Sequence, residues 1–501
     1  MGLNTKIKLD AALLAFVFGR HPGPDPGSRR PKTLSALDSS FRRNAELILW
    51  LKSILSCFVG ARQRRAWGVS TKIFLIVLLF FLGGVSRPAQ AGEYNFDPGE
   101  TEKKPYHFGG YLEFRPVLNG LDKNAALNQV KFYNQNVGNI LGETNGKLQL
   151  EGSLERGIAR LFARVNTEIQ SSYQGFSEKT TLYEGFLSVK PSSALVLDAG
   201  KKTMKWGKGY AWNPVAFLDR PKNPDDPDLA LEGYGVFSVD YTKSFDGPLK
   251  TVSLTPVLVP VGDSINEDFG NRFYLNFAGK LYLLLYDTDL DLTFLSGGSR
   301  TPRVGLDFSR NITTNLEVHG EWAWTSDAKK TAVDSNGKPS ISSADAQSYL
   351  LGLRYLSPQD TTVIFEYYRN EAGFTVRETE AYFSFVHAAY DLYRRTGNEV
   401  PIQRAATFSQ GLYGRFTPMQ NYLYLRITQK EPGDILYFTP AVTGIYNLDD
   451  QSFSLSPELL YAGWTNWEFR LKGTFLSGAQ LTEFGEKAND YRVELRIRYY
   501  F

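Results

Sequence analysis

The chain has 501 residues, a formal net charge of +3, 14% aromatic residues and one cysteine. The charge is uneven: residues 1–91 hold 14 Lys/Arg against 4 Asp/Glu, which leaves 42 basic and 49 acidic residues over 92–501, a net of −7. That long stretch gives a nucleic-acid partner no support, and with Cys57 outside it, it carries no disulfide and no thiolate metal site.

Ile73–Leu82 is a ten-residue apolar run, well short of the ~20 residues that a membrane-crossing helix needs. Lys72 precedes it, and Ala89-Gln-Ala91 follows as a small-x-small cleavage site. Residues 69–91 therefore read as a secretory signal peptide, with cleavage at Ala89 and Ala91 and a mature chain beginning at Gly92. A signal peptide rarely starts so deep in a chain. Residues 1–68, rich in Pro and Arg, read as an extension ahead of a misassigned start, with Val69 as the initiator, or as a translated extension. Residues 92–104 are polar and read as a short periplasmic lead-in, too brief for a plug, to a domain over 105–501.

From Tyr106 onward, segments of roughly ten residues alternate apolar and polar side chains, the period and length of a tilted strand crossing a bilayer. Leu148, Leu150, Gly152 and Leu154 alternate with Gln149, Glu151, Ser153 and Glu155. Similar alternation runs through 316–324, 422–428 and 467–475. Tight turns are expected at 191–193, 246–248, 287–289, 311–313, 357–360 and 417–420, where Pro, Asp, Asn, Gly and Ser gather. Longer connections fall near 119–145, 206–233, 262–271, 327–345 and 373–404. Short turns alternating with long loops predict an all-β fold: a transmembrane antiparallel up-and-down β-barrel of about 18 strands, with 16 as the fallback. The open stretch is 434–464, where Leu448–Gln451 and Thr465-Asn466 compete as turns. Residues 377–395 have helical spacing and precede a polar break at Thr396–Glu399, so one extracellular loop carries a short helix. It either decorates the loop or folds into the mouth as a gate.

The segment 201–232 concentrates charge. Lys201, Lys202, Lys205 and Lys208 precede Asp219, Asp225, Asp226, Asp228 and Glu232. Trp206, Tyr210 and Trp212 can anchor such a loop, and Gly207 and Gly209 permit tight turns. Basic and acidic groups facing each other across a narrow opening would set up a transverse field; a solvated surface loop with balanced charges is the alternative. Lumenal positions of the strands add Glu317, His319, Glu321, Arg426, Arg470, Lys472, Arg492, Glu494, Arg496 and Arg498. The C-terminal group is basic, which either satisfies itself by pairing or favours anionic solutes. His319 sits between Glu317 and Glu321, but side chains at i and i±2 on a strand are about 6–7 Å apart at Cα and build no catalytic geometry. No catalytic, metal or cofactor site is expected.

The last strand, Tyr491–Phe501, alternates without a miss. Tyr491, Val493, Leu495, Ile497, Tyr499 and Phe501 share one face, and Arg492, Glu494, Arg496 and Arg498 the other. Ending on Phe501, it resembles the terminal assembly signal of bacterial outer-membrane β-barrel proteins. Trp206-Gly-Lys-Gly with Asn213-Pro214 resembles, over about 20 residues, a segment of outer-membrane channels, including alginate-export-like and other porin-like barrels. The resemblance implies lipid and the barrel assembly machinery as partners, an outer-membrane location, and a loop packed in or near the lumen. The leading expectation is a porin-like channel for small polar or charged solutes. The alternatives are an exporter of an anionic polysaccharide and a non-conducting scaffold with adhesive loops.

Overall fold

The computed structural model describes residues 104–501. Its strands are β1 (Tyr106–Leu121), β2 (Ile140–Arg156), β3 (Ala159–Ser172), β4 (Gly175–Ser192), β5 (Leu195–Lys202) and β6 (Tyr234–Ser244). They continue as β7 (Leu249–Val261), β8 (Tyr274–Leu285), β9 (Thr288–Leu295), β10 (Arg303–Asn311), β11 (Leu316–Val333) and β12 (Pro339–Leu356). The last six are β13 (Thr361–Asn370), β14 (Asn421–Gln429), β15 (Phe438–Asn447), β16 (Phe453–Tyr461), β17 (Trp467–Ser477) and β18 (Asn489–Tyr500). Each pairs with its neighbours in sequence, giving an 18-stranded sheet. β1 pairs antiparallel with both β2 and β18, Tyr111 lying opposite Gln149 on one side and Tyr500 on the other. The sheet is thus a closed barrel without edges, and the 16-strand fallback is set aside. Phe501 completes the seam: its N–H donates to Gly110 O (3.1 Å), and Gly110 N–H donates back to Phe501 O (3.2 Å).

Polarity is inverted relative to a water-soluble sheet. On β18, Glu494 and Arg496 are 5% and 3% exposed while Val493 is 37% exposed. Outward positions elsewhere carry Leu161, Leu187, Leu254, Phe277, Leu306, Leu351, Leu425 and Leu471, all exposed. An apolar outer wall around a charged lumen suits hydrocarbon outside and water within. Buried apolar side chains gather where long connections meet the inner wall, in clusters around Trp206–Leu218, around Tyr382–Ala405 and around Trp212–Tyr424.

Both ends of the barrel segment lie at one rim, with short connections at 157–158, 193–194, 245–248, 286–287, 312–315 and 357–360. The opposite rim carries the long ones, 122–139, 203–233, 262–273, 371–420 and 478–488. The first contains helix α1 (Ala126–Phe132); 371–420 contains α2 (Val376–Thr396) and α3 (Val400–Phe408). α2 covers the expected helix. The Thr375 side chain accepts from Glu378 N–H while the Glu378 carboxylate accepts from Thr375 N–H, and Gly397 ends the helix in the left-handed region at φ 73°. α1 and α3 had no sequence counterpart.

Three expectations need correction. Residues 327–345 are not a loop: β11 and β12 run on beyond a bulge at Thr325/Ala328, pairing Ala328 with Ala344 and Val333 with Pro339. There the ladder persists while the alternation fades among Lys329, Lys330, Thr331, Ser340 and Ser342. Thr417–Gln420 is no tight turn but the end of the long connection into β14. Lys201 and Lys202 belong to β5 rather than to the loop. In 434–464, both competing turns occur, flanking β16. The expected leader, its cleavage site and the lead-in up to residue 103 lie outside the described residues.

Candidate functional site

The connection between β5 and β6 crosses the lumen, and the inner wall dictates its shape. Glu321, on β11, is 3% exposed. Its carboxylate accepts the backbone N–H groups of Lys208 and Gly209 (both 2.6 Å), Val215 N–H (3.2 Å) and Asn213 Nδ2 (3.2 Å). Glu366, on β13 and fully buried, accepts Tyr210 N–H and Ala211 N–H (2.9 Å). Two buried carboxylates thereby satisfy a run of loop donors, each bond charge-assisted. The glycines make this approach possible. A Cβ on Gly207, whose φ is +90°, would lie 2.8 Å from the Glu321 carboxylate, and one on Gly209 would lie 2.0 Å from Trp212 O. Asn213 Nδ2 also donates to Gly209 O (2.9 Å). The Trp-Gly-x-Gly…Asn-Pro pattern is thus explained by what it touches. Trp206 is buried in one apolar cluster, and Trp212 stacks on Tyr368 with centroids 5.0 Å apart.

Beyond this anchor the loop reaches the opposite wall. Asp226 pairs with Arg496 (2.6 Å) on β18 and Arg470 (3.1 Å) on β17, and Asp225 pairs with Lys472 (2.9 Å) and accepts from Ser456 Oγ (2.9 Å). Burial alone would raise the Asp226 carboxyl; Arg496 and Arg470 outweigh it and hold the group well below the usual carboxylate range. This wall gathers seven cations, Arg115, Arg426, Arg470, Lys472, Arg492, Arg496 and Arg498, around Glu113, Glu458, Glu468 and Glu494. The loop contributes the two further carboxylates. Facing it from β9–β11 is an acidic sector: Asp291, Asp307 and Glu321 lie directly opposite one another on adjacent strands, with Glu366 two strands further on, on β13.

The expected site residues are therefore arranged differently from the loop-internal opposition. Lys208 reaches Asp291 (3.1 Å) and Asp307 (3.9 Å) of the wall. Lys201 pairs with Glu232, Lys202 with Asp198, and Asp228 accepts from Tyr210 Oη (3.0 Å). Asp219 caps the loop's start by accepting Met204 N–H (2.8 Å) and Trp206 N–H (3.0 Å); burial pushes its carboxyl upward. Lys205 is exposed. Of these, Lys201 and Glu232 oppose each other within the expected loop, whereas Lys208, Asp225 and Asp226 find nearer partners on the wall. Sequence reasoning passed over Glu366, Asp291, Asp307, Glu113 and Glu458; their signal was a charged side chain at an inward position of a strand. His319 is buried, its Nε2 3.0 Å from Glu366 Oε1 and its Nδ1 3.8 Å from Glu317, so its closest carboxylate belongs to another strand rather than its own.

No family model matches the chain, and no curated protein matches it. Among solved structures it is similar to OccAB1 of Acinetobacter baumannii (8% identity, 79% of this chain and 97% of that one, TM-score 0.46). It is also similar to OpdQ of Pseudomonas aeruginosa (10% identity, 79% and 97%, TM-score 0.46). A third is OmpF of Salmonella typhi in complex with daunomycin (9% identity, 79% and 97%, TM-score 0.38).

Proposed function

We propose that this chain is a porin-like channel of the bacterial outer membrane through which small polar or charged solutes diffuse passively. The carrying observation is the inside-out barrel whose lumen is crossed by a loop tied to an acidic wall at one end and a basic wall at the other. A closed barrel leaves no backbone group unpaired in lipid, and 18 strands enclose a lumen wide enough for water and solutes unless a loop narrows it. The loop at 203–233 supplies that narrowing. Opposed charged walls at a narrow passage orient dipolar solutes and sort ions, because salt screens them only beyond about 8–10 Å. Export by the signal segment at 69–91, assembly through the strand ending at Phe501, and surrounding lipid belong to the same proposal.

Planar-bilayer recording of the purified chain tests it. Ohmic conductance with weak ion preference is expected. Silence from a correctly assembled barrel would point instead to a scaffold with adhesive loops, and anion current blocked by a polyanion to a polysaccharide exporter.

A further inference from the structure

Helix α2, α1 and the 478–488 connection meet at His387. Its Nδ1 lies 2.9 Å from Gln129 Oε1 on α1, and its Nε2 lies 3.1 Å from Glu486 Oε1. Gln129 Nε2 donates to Asn124 O (3.0 Å), which turns Oε1 toward the imidazole as an acceptor. Glu486 accepts Leu481 N–H (2.8 Å) and Ala126 N–H, so it too presents an acceptor. Both ring nitrogens therefore face acceptors. A neutral imidazole carries one N–H and one lone pair, and only the imidazolium donates to both partners.

From this geometry we infer that His387 is a proton-dependent latch, which docks α2 onto α1 and the 478–488 connection in acid and releases it as the ring loses its proton. The other charged groups of these elements are exposed, as are Arg377, Glu380, Asp391, Arg394 and Arg395 of α2, or engaged elsewhere. Lys131 of α1 lies over the rings of Phe132 and Tyr173, Lys487 pairs with Glu483 (3.8 Å), and Glu378 of α2 pairs with Lys330 (3.0 Å). Glu486 is the ionised group facing the imidazole. Burial opposes its charge, but His387 and the Leu481 and Ala126 N–H groups hold its carboxyl below the usual range. The imidazole is therefore the group whose proton decides whether both contacts are made. α1 stays on the 478–488 connection without His387, since Leu127 N–H donates to Glu486 O (3.1 Å) and Asn128 Nδ2 to Ala488 O (2.9 Å). The latch adds a polar tie to α2, which an apolar cluster also holds against Ala126 and Val130 of α1.

The consequence for flow rests on the channel reading. α1, the segment after α3 and the 478–488 connection line a cavity of about 560 Å³ above the loop, with Val130, Phe416, Phe484 and Arg492 on its surface. α2 lines none of that vestibule, but it packs in one apolar cluster with Val130 and Ala406, which do, so loosening α2 loosens their support.

Hydrogen exchange of the α2 amides in the full chain tests the latch independently of conduction. After correction for intrinsic exchange, opening is expected to be about tenfold more frequent at about pH 8 than at about pH 5.5, the worth of one charge-assisted hydrogen bond. His387→Ala, and His387→Gln should the first not fold, should open at the alkaline level at both pH values. Equal opening of the native chain at both, or a variant that keeps the native pH profile, would overturn the latch. Bilayer current rising with pH in the native chain but not in the variants would add the consequence for flow. A pH-dependent exchange profile in a barrel that carries no current would retire the channel reading and leave the latch standing.

Discussion

Two long connections cover the lumen from the same rim, and they are held by opposite means. The loop at 203–233 is fastened by acidic and basic side chains: Glu321 and Glu366 grip its backbone, and Arg470 and Arg496 grip Asp226. The connection at 371–420 is fastened mainly by an apolar cluster in which Tyr413 stacks between Phe374 and Tyr382, both at 4.0 Å, with His387 as a polar tie. Charged anchors buried in a wall fix one geometry, since any displacement strands a desolvated carboxylate. An apolar interface has no such directional requirement and tolerates repacking. On the proposed reading, the difference predicts a fixed constriction beneath a cover that can move.

The contrast can be broken at either fastening. Glu321→Ala should have the largest effect on ion flow. It leaves three backbone N–H groups and Asn213 without their acceptor, costs on the order of 4 kcal/mol of loop docking, and should expose 203–233 to protease while raising conductance. Asp226→Asn comes next. Removing one partner of a buried pair costs about 3 kcal/mol, and Arg470 and Arg496, left with Glu458 and Glu494, should move the reversal potential toward anion preference.

The sign of the pH effect follows from the depressed Asp226 carboxyl. Its contribution to docking is complete above the unfolded aspartate value of about 3.9. It is lost only as pH falls through the lower docked value, so the Asp226 contribution should hold from neutrality down to about pH 4 and be lost progressively below. Tyr382→Ala should cost the cover about 3 kcal/mol, seen as faster exchange in α2, with conductance changed by less than about twofold because the loop beneath stays anchored. The smallest effect is expected from Lys205→Asn, an exposed position at φ 56°. Asparagine tolerates that conformation, and stability and conductance should stay within about 0.5 kcal/mol and the noise of recording.

What could be read in advance divides along the same line. The alternation of Tyr491–Phe501 requires a strand with one apolar and one charged face, and local periodicity was enough to see it. The helical spacing of 377–395 and the polar break at Thr396–Glu399 likewise placed α2 to within a few residues of its ends. The fastening of the loop was not legible, because Gly209 and Glu321 are 112 residues apart in sequence and nothing local ties them. The glycines and Asn213 showed that the backbone turns sharply there, not which carboxylate it turns toward. The extended β11–β12 hairpin was missed for a related reason. Where the two strands leave the apolar belt, neither face needs hydrocarbon, and Lys, Ser and Thr erase the period that had identified them.

Single-channel conductance of a chain lacking residues 208–228, compared with the native chain in the same bilayer, tests the fixed constriction most directly. A severalfold rise with loss of ion preference is predicted, since the narrowest segment dominates resistance. Unchanged conductance in a variant that still shifts on gels only after heating, and so retains a closed barrel, would contradict it and leave the pore to the strand residues alone.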